Sequence, residues 1–143
     1  MKKRVILSIC GRQSYMDQEP ESIELVTEGT MEFQNGGWNV SYEESDLTGL
    51  TGVLTTFRIE PQKVTLTRTG KLQSEMVFQQ GVSHQSLYQM EFGALLITVC
   101  AQSVFFDLTP EGGVIDLVYA IEIENSAAGM IDYHLDIRSA EEQ

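Results

Sequence analysis

Short runs in which apolar residues occupy every second position follow one another along most of this chain. The run from Ile115 to Ile123 shows the pattern most clearly, since Leu117, Tyr119 and Ile121 share its phase. Successive side chains of a β-strand point to opposite faces, so a period of two places one apolar face against a core. No segment shows a clear 3.6-residue helical period. The alternation therefore predicts an all-β protein.

Turn sequences separate the apolar runs. Asn35-Gly36-Gly37 is the strongest of them, because Asn and Gly accept the positive φ of tight hairpins. Pro61-Gln62, Gly81 and Thr109–Gly113 mark further turns. Short strands joined by hairpins form an up-and-down meander, whose two edges stay exposed unless the sheet closes. We therefore predict a single domain over residues 1–143, a closed antiparallel barrel of about eight to ten strands.

Phase counting also predicts which side chains meet inside the barrel. Large apolar residues of one phase recur in most of the predicted strands. We expect the following residues to share one core: Trp38, Phe57, Phe78, Leu117, Tyr119, Ile121, Tyr133 and Leu135.

The charge of the chain limits its partners. Its 143 residues carry a net charge of −12, and a small basic island of Arg58, Lys63, Arg68 and Lys71 lies between two acidic stretches. Nucleic acid binding needs a cationic surface, so we expect no nucleic-acid partner. No apolar run approaches transmembrane length, so we expect no membrane partner either.

The cysteines bear on the compartment. Cys10 and Cys100 have neither the spacing of a zinc site nor that of a CxxC motif. Two buried free thiols are typical of a reducing cytosol. We therefore expect a cytoplasmic protein that uses no metal and no cofactor.

Several short motifs, in the same order along the chain, resemble the bacterial YwiB-like family of calycin-type β-barrels. The motifs that carry the resemblance are Ser41-Tyr42-Glu43-Glu44, Gly49-Leu50-Thr51-Gly52, Thr55-Thr56, Val64-Thr65-Leu66-Thr67-Arg68-Thr69-Gly70, Ser86-Leu87-Tyr88, Glu91-Phe92-Gly93-Ala94-Leu95 and Gly113. The resemblance implies a calycin- or lipocalin-like barrel in a bacterial cytoplasm. It implies no catalytic or binding residues, because no function is assigned to the family.

The run from Leu95 to Phe106 is apolar in both phases. Such a strand is buried on both sides, so something must cover its outer face. A bulge near Ala101-Gln102-Ser103 would exchange the two faces partway along the strand. The alternative is a homodimer interface. The sequence favours neither.

Five polar residues share the inward phase and form the candidate ligand site: Thr55, Arg68, His84, Ser86 and Tyr88. From Val53 onward, the one inward carboxylate is Asp107, at a strand end. A buried guanidinium without a partner is costly, so a small anionic ligand near Arg68 is one interpretation. The alternative is that backbone carbonyls at the rim satisfy Arg68 and the lumen is filled.

A catalytic role is a weaker hypothesis. His84 and Ser86 invite comparison with a nucleophile pair, but they lie side by side on one strand with no acid in phase to orient His84. We therefore expect no catalytic residues. The leading hypothesis is small-ligand binding in the lumen, and the second is a protein-interaction or regulatory module that uses the exterior, with a homodimer as one form.

One outward face has the composition of a metal site. Asp132, His134 and Asp136 alternate on one predicted strand, and Glu122 and Glu124 lie on its neighbour. The opposite phase of the first strand is apolar and therefore inward. A solvated exterior face is the expected interpretation.

Overall fold

The computed structural model describes residues 2–15, 19–45, 51–90 and 93–140. These residues form ten antiparallel strands, as the alternation predicts. The strands are β1 (Lys3–Tyr15), β2 (Glu21–Gln34), β3 (Gly37–Glu43), β4 (Val53–Glu60), β5 (Lys63–Gly70), β6 (Ser74–Phe78), β7 (Ser83–Met90), β8 (Gly93–Thr109), β9 (Gly112–Ile123) and β10 (Ser126–Ser139). The described residues include no helix that is long and apolar enough to span a membrane.

The strands form an up-and-down meander that curls into a nearly closed barrel. Strands β1 to β6 pair in chain order, strands β7 to β10 do the same, and β10 pairs with β1. The remaining seam lies between β6 and β7. In the described part of the chain, two backbone hydrogen bonds link Gln73 to Gln89 there, with N–O distances of 2.9 and 2.8 Å. The prediction of an up-and-down barrel is confirmed, and the seam is an addition to it.

The hairpin between β2 and β3 forms where the sequence predicts it. Asn35 and Gly36 have φ angles of 54° and 79° and lie between the paired residues Gln34 and Gly37. Positive φ at both central residues is typical of the two-residue turn that matches the twist of the adjoining strands.

The barrel core contains the residues that phase counting selects. Phe57, Phe78, Leu117, Tyr119 and Leu135 are buried. Trp38, Ile121 and Tyr133 are partly buried and pack against the same cluster. The predicted register of the barrel is therefore correct.

The apolar run in β8 is explained by a bulge. The pairing of β8 with β9 shifts between Ala101 and Ser103. Before the bulge Ile97, Val99 and Ala101 are buried, whereas after it Val104, Phe106 and Leu108 pack against the core. The bulge hypothesis is confirmed, and a second subunit is not needed to account for the two apolar phases.

Two expectations about individual side chains are wrong. Cys10 is exposed and Cys100 is half-buried, although both thiols are free. Cys10 lies on the outward phase of β1, so the alternation of the strand, and not the apolar character of the thiol, determines its exposure. Asp107 is also exposed, because the bulge reverses the faces of β8 before that position.

Candidate functional site

A cavity of about 370 Å³ occupies the lumen. Its wall is mostly aliphatic and aromatic, and it reaches the end of the barrel where Gln13 and the half-exposed Ile23 lie. The lining residues are Ile9, Gly11, Gln13, Ile23, Leu25, Tyr42, Glu44, Arg68, Met76, Tyr88, Leu95, Ile97, Tyr119, Ile121, Ile123, Ile131 and Tyr133. Apolar pockets with a few polar groups are the usual form of small-molecule sites.

Among the residues that the structure describes, the charged groups of this wall are Arg68 and Glu44. The Nε of Arg68 lies 3.9 Å from Oε2 of Glu44, and their side chains are 16% and 1% exposed. Glu44 Oε2 also accepts a hydrogen bond of 2.5 Å from the hydroxyl of Thr55, which is fully buried. The register of β4 with β5 pairs Thr55 with Arg68, and the backbone N–H of Glu44 donates to the Val53 carbonyl at the start of β4, which brings Glu44 beside them.

Arg68 therefore has an internal acid, and the expectation that no carboxylate would face it is wrong. Glu44 follows β3 and continues the even-numbered inward phase of Val40 and Tyr42. Phase counting over the strands from Val53 onward does not include Glu44, because this residue precedes them. Its inward position follows from the sequence when the parity of β3 is extended by one position past the strand.

Two tyrosine hydroxyls meet beside the charged pair. The hydroxyl oxygens of Tyr42 and Tyr133 are 3.4 Å apart. Burial raises the pKa of both phenols above the ordinary value of 10.0, and for Tyr42 the proximity of Tyr133 raises the pKa further. Both hydroxyls are consequently neutral near pH 7 and present hydrogen-bonding groups, not charge, to the cavity.

The candidate ligand residues occupy different places. Arg68 and Tyr88 line the lumen cavity. Thr55 is not a lining residue of the lumen cavity, and its hydroxyl donates a hydrogen bond to the Glu44 carboxylate. His84, Ser86 and Tyr88 are each half-buried on the inward phase of β7, so the predicted register of that strand is correct.

Ser86 and His84 lie away from the lumen wall. Ser86 lines a second cavity of about 350 Å³ at the β6–β7 seam, which we call the seam recess. The Nε2 of His84 lies 3.3 Å from Oε1 of Gln79, a neighbouring side chain outside both cavities. The structure therefore brings Arg68 close to Tyr88 and Ser86, while His84 stands apart.

The acidic exterior face of β9 and β10 forms a different contact. His134 Nδ1 lies 2.5 Å from Asp116 Oδ1, and both side chains are about two-fifths exposed. Within the described residues, no group of three or more His, Cys, Asp or Glu side chains is arranged to hold a metal ion.

Comparisons with known proteins identify the family. The family model described as "Domain of unknown function (DUF1934)" matches residues 7–137. The crystal structure of the YwiB protein from Bacillus subtilis superimposes with a TM-score of 0.88 at 22% sequence identity, over 98% of this chain and 94% of that one. This likeness shows the fold, which is consistent with a calycin-like barrel. No curated protein sequence matches the chain. The chain belongs to the DUF1934 family.

Proposed function

We propose that the barrel binds one small, largely apolar molecule in its lumen and orients it through the Arg68–Glu44 pair. The observation that carries the proposal is an apolar cavity with one buried ion pair in its wall. A cavity of about 370 Å³ lies at the small end of the range for ligand sites. The proposed ligand is therefore compact, and a long lipid chain is disfavoured.

The location of the polar groups supports this proposal. Arg68, Glu44, Tyr42 and Tyr133 interact with one another, whereas the remaining wall is mainly Ile and Leu. Such a wall gives affinity through burial of apolar surface, and the few polar groups give orientation. The expected site residues Arg68 and Tyr88 would contact the ligand directly, and Thr55 would act through Glu44.

The test combines a retained-ligand search with a probe. Native mass spectrometry of the protein isolated from its own cells should show a bound small molecule. In addition, the neutral dye N-phenylnaphthylamine should bind with increased fluorescence. Replacing Ile121 by Trp places a large ring in the cavity and should abolish dye binding. Val26→Trp, at an exposed position of β2 that lines neither the lumen nor the seam recess, serves as the control and should leave dye binding unchanged.

Two results would contradict lumen binding: no dye bound to the natural protein, or dye binding that survives Ile121→Trp in a variant with an intact fold. Circular dichroism and thermal unfolding of the Ile121→Trp variant establish the fold.

A second candidate function uses the exterior. Val26 and Phe105 are large apolar side chains on the outward faces of β2 and β8, with exposures of 67% and 53%, and Phe33 is exposed at the end of β2 beside Trp38. In an interface with a protein partner or a second copy of the chain, such side chains would supply apolar contacts. The same native mass spectrum tests this candidate, since a dimer or a retained protein would appear at higher mass. The free thiols favour a reducing compartment for either function.

A further inference from the structure

Arg68 forms part of two cavities. It lines the lumen and also the seam recess, which is bounded by Thr67, Arg68, Thr69, Gln73, Ser74, Glu75, Ser86, Leu87 and Gln89. Arg68, Ser74 and Ser86 lie on the inward phase of their strands, whereas Glu75, Leu87 and Gln89 are exposed. The seam recess therefore crosses the barrel wall between β6 and β7, and Arg68 lies where the recess adjoins the lumen.

Two hydrogen-bonding groups at this junction are unused. The Nε of Arg68 and the hydroxyl oxygen of Ser74 are both buried, and neither forms a hydrogen bond to any described residue. Ser74 is 8% exposed, and the register of β5 with β6 pairs it directly with Arg68. An Arg N–H can only donate, and a Ser hydroxyl can donate as well, so the two groups share a need for an acceptor.

The charge at the junction is already balanced. Glu44 lies 3.9 Å from Arg68 Nε, which is close enough to offset the guanidinium charge but too far for a hydrogen bond. Glu75, the other charged residue among the described residues of the recess, is acidic. A ligand anion would therefore add a second negative charge beside Glu44. An uncharged acceptor would use the free donors without that repulsion.

We propose that the lumen ligand carries an uncharged acceptor oxygen, such as a ketone or amide carbonyl, and that Arg68 Nε and Ser74 Oγ bind this oxygen. The proposal rests on lumen binding as proposed above and names the chemical class of the ligand. It also replaces the anionic ligand that Arg68 alone had indicated. The apolar part of the molecule lies against the aliphatic wall, and the carbonyl lies at the β6–β7 seam.

Three compounds of similar shape test the assignment. They are phenylbutanoate, the methyl ketone that has CH3 in place of its charged oxygen, and pentylbenzene. Their affinities are measured by displacement of N-phenylnaphthylamine from the natural protein and from Ser74→Ala, Ser83→Ala and Glu44→Gln. Ser83 is an exposed serine of β7 outside both cavities, so Ser83→Ala is the matched control.

The expected result is specific to the ketone. Ser74→Ala should weaken the binding of the ketone about tenfold, equivalent to about 1.4 kcal/mol, and leave the binding of pentylbenzene unchanged. Ser83→Ala should change the binding of neither compound. Phenylbutanoate should bind more weakly than the ketone, and Glu44→Gln should reduce that difference because it removes the competing charge.

The outcomes separate the two proposals. One outcome is that pentylbenzene binds and Ser74→Ala weakens the binding of the ketone no more than that of pentylbenzene. The two donors are then satisfied by water, so the acceptor assignment is wrong, while lumen binding stands. If phenylbutanoate binds more tightly than the ketone, the site takes an anion and the uncharged class is wrong. If neither the dye nor any of the three compounds binds, lumen binding fails and the acceptor assignment fails with it.

Discussion

Replacing Arg68 by Met removes the cation beside a carboxylate whose side chain is 1% exposed. At the observed 3.9 Å, two unit charges interact by about 4 kcal/mol at an effective dielectric constant of about 20, and by about 1 kcal/mol in bulk water. Arg68 is 16% exposed, so solvent screens part of the interaction. We therefore expect a coupling free energy of about 2 kcal/mol between Arg68 and Glu44.

A double-mutant cycle measures this coupling. Arg68→Met alone should cost about 3 kcal/mol, at the low end for breaking a buried pair, because the Thr55 hydroxyl still bonds to Glu44. Glu44→Gln alone should cost about 2 kcal/mol, since the amide oxygen can keep the Thr55 bond while Arg68 loses its counter-charge. The double variant should lose about 3 kcal/mol rather than the roughly 5 kcal/mol of independent effects. Urea denaturation followed by circular dichroism gives all four free energies of unfolding.

The exterior pair Arg4–Glu28 is the control cycle. Its side chains are 69% and 51% exposed, so the coupling there should be below about 1 kcal/mol. A coupling for Arg68 and Glu44 below about 0.5 kcal/mol would be the additivity expected of distant sites, and would refute the argument that the pair forms one electrostatic unit inside the barrel.

Three further predictions concern the fold and its ionisable groups. Phe106→Ala should lower the free energy of unfolding in urea by about 3 kcal/mol, and Phe105→Ala should lower it by less than about 0.5 kcal/mol. The reason is that the β8 bulge turns Phe106 towards the core and leaves Phe105 exposed, so similar costs would contradict the face switch. Gly29→Ala should destabilise the protein by about 2 kcal/mol or more in the same assay, because the new Cβ would lie 2.4 Å from the Ser41 carbonyl oxygen. At Gly81 a new Cβ has no atom within 4 Å, so Gly81→Ala should cost about 1 kcal/mol from its positive φ alone. The reverse order of the two costs would contradict the packing. Burial raises the pKa of Tyr42 and Tyr133 above 10.0, so the contribution of the two neutral phenols to the free energy of unfolding is fully present below about pH 10 and is lost as the pH rises further. The decline in unfolding free energy above about pH 10 should be smaller in Tyr42→Phe than in the natural protein. An equal decline in both proteins would contradict the pKa shift.

The barrel was predictable because its signal is local. A period of two assigns each side chain to a face from its immediate neighbours, so Phe57, Leu117 and Leu135 could be placed in the core without knowledge of the pairing. The β8 bulge was also visible, because apolar residues changed phase around Gln102. Asp107 was misplaced because its face was counted without that change of phase.

The seam was not predictable from the same signal. Alternation tells which face a residue occupies but not whether two strands hydrogen-bond, since pairing depends on how the whole meander closes. β6 contains five residues and pairs with β5 on one side. On its other side, an isolated backbone bridge joins Gln73, just before β6, to Gln89 of β7. The unused donors of Arg68 and Ser74 lie beside this gap. Their role as a candidate site follows from the three-dimensional closure and could not be inferred from residue order.

The Arg68 site shows how a correct local rule led to an incomplete chemical conclusion. Parity placed Arg68 inside, and the apparent lack of an inward acid then indicated an anionic ligand. Glu44 obeys the same parity but lies beyond the end of β3, and the Thr55 hydroxyl holds it beside Arg68. Because the acid offsets the guanidinium charge without using its Nε–H, the site keeps a hydrogen-bond donor but loses its net attraction for anions. One carboxylate past a strand end thus changes the expected ligand from an anion to a neutral acceptor, which is why the ketone and carboxylate arms of the displacement assay are the decisive comparison.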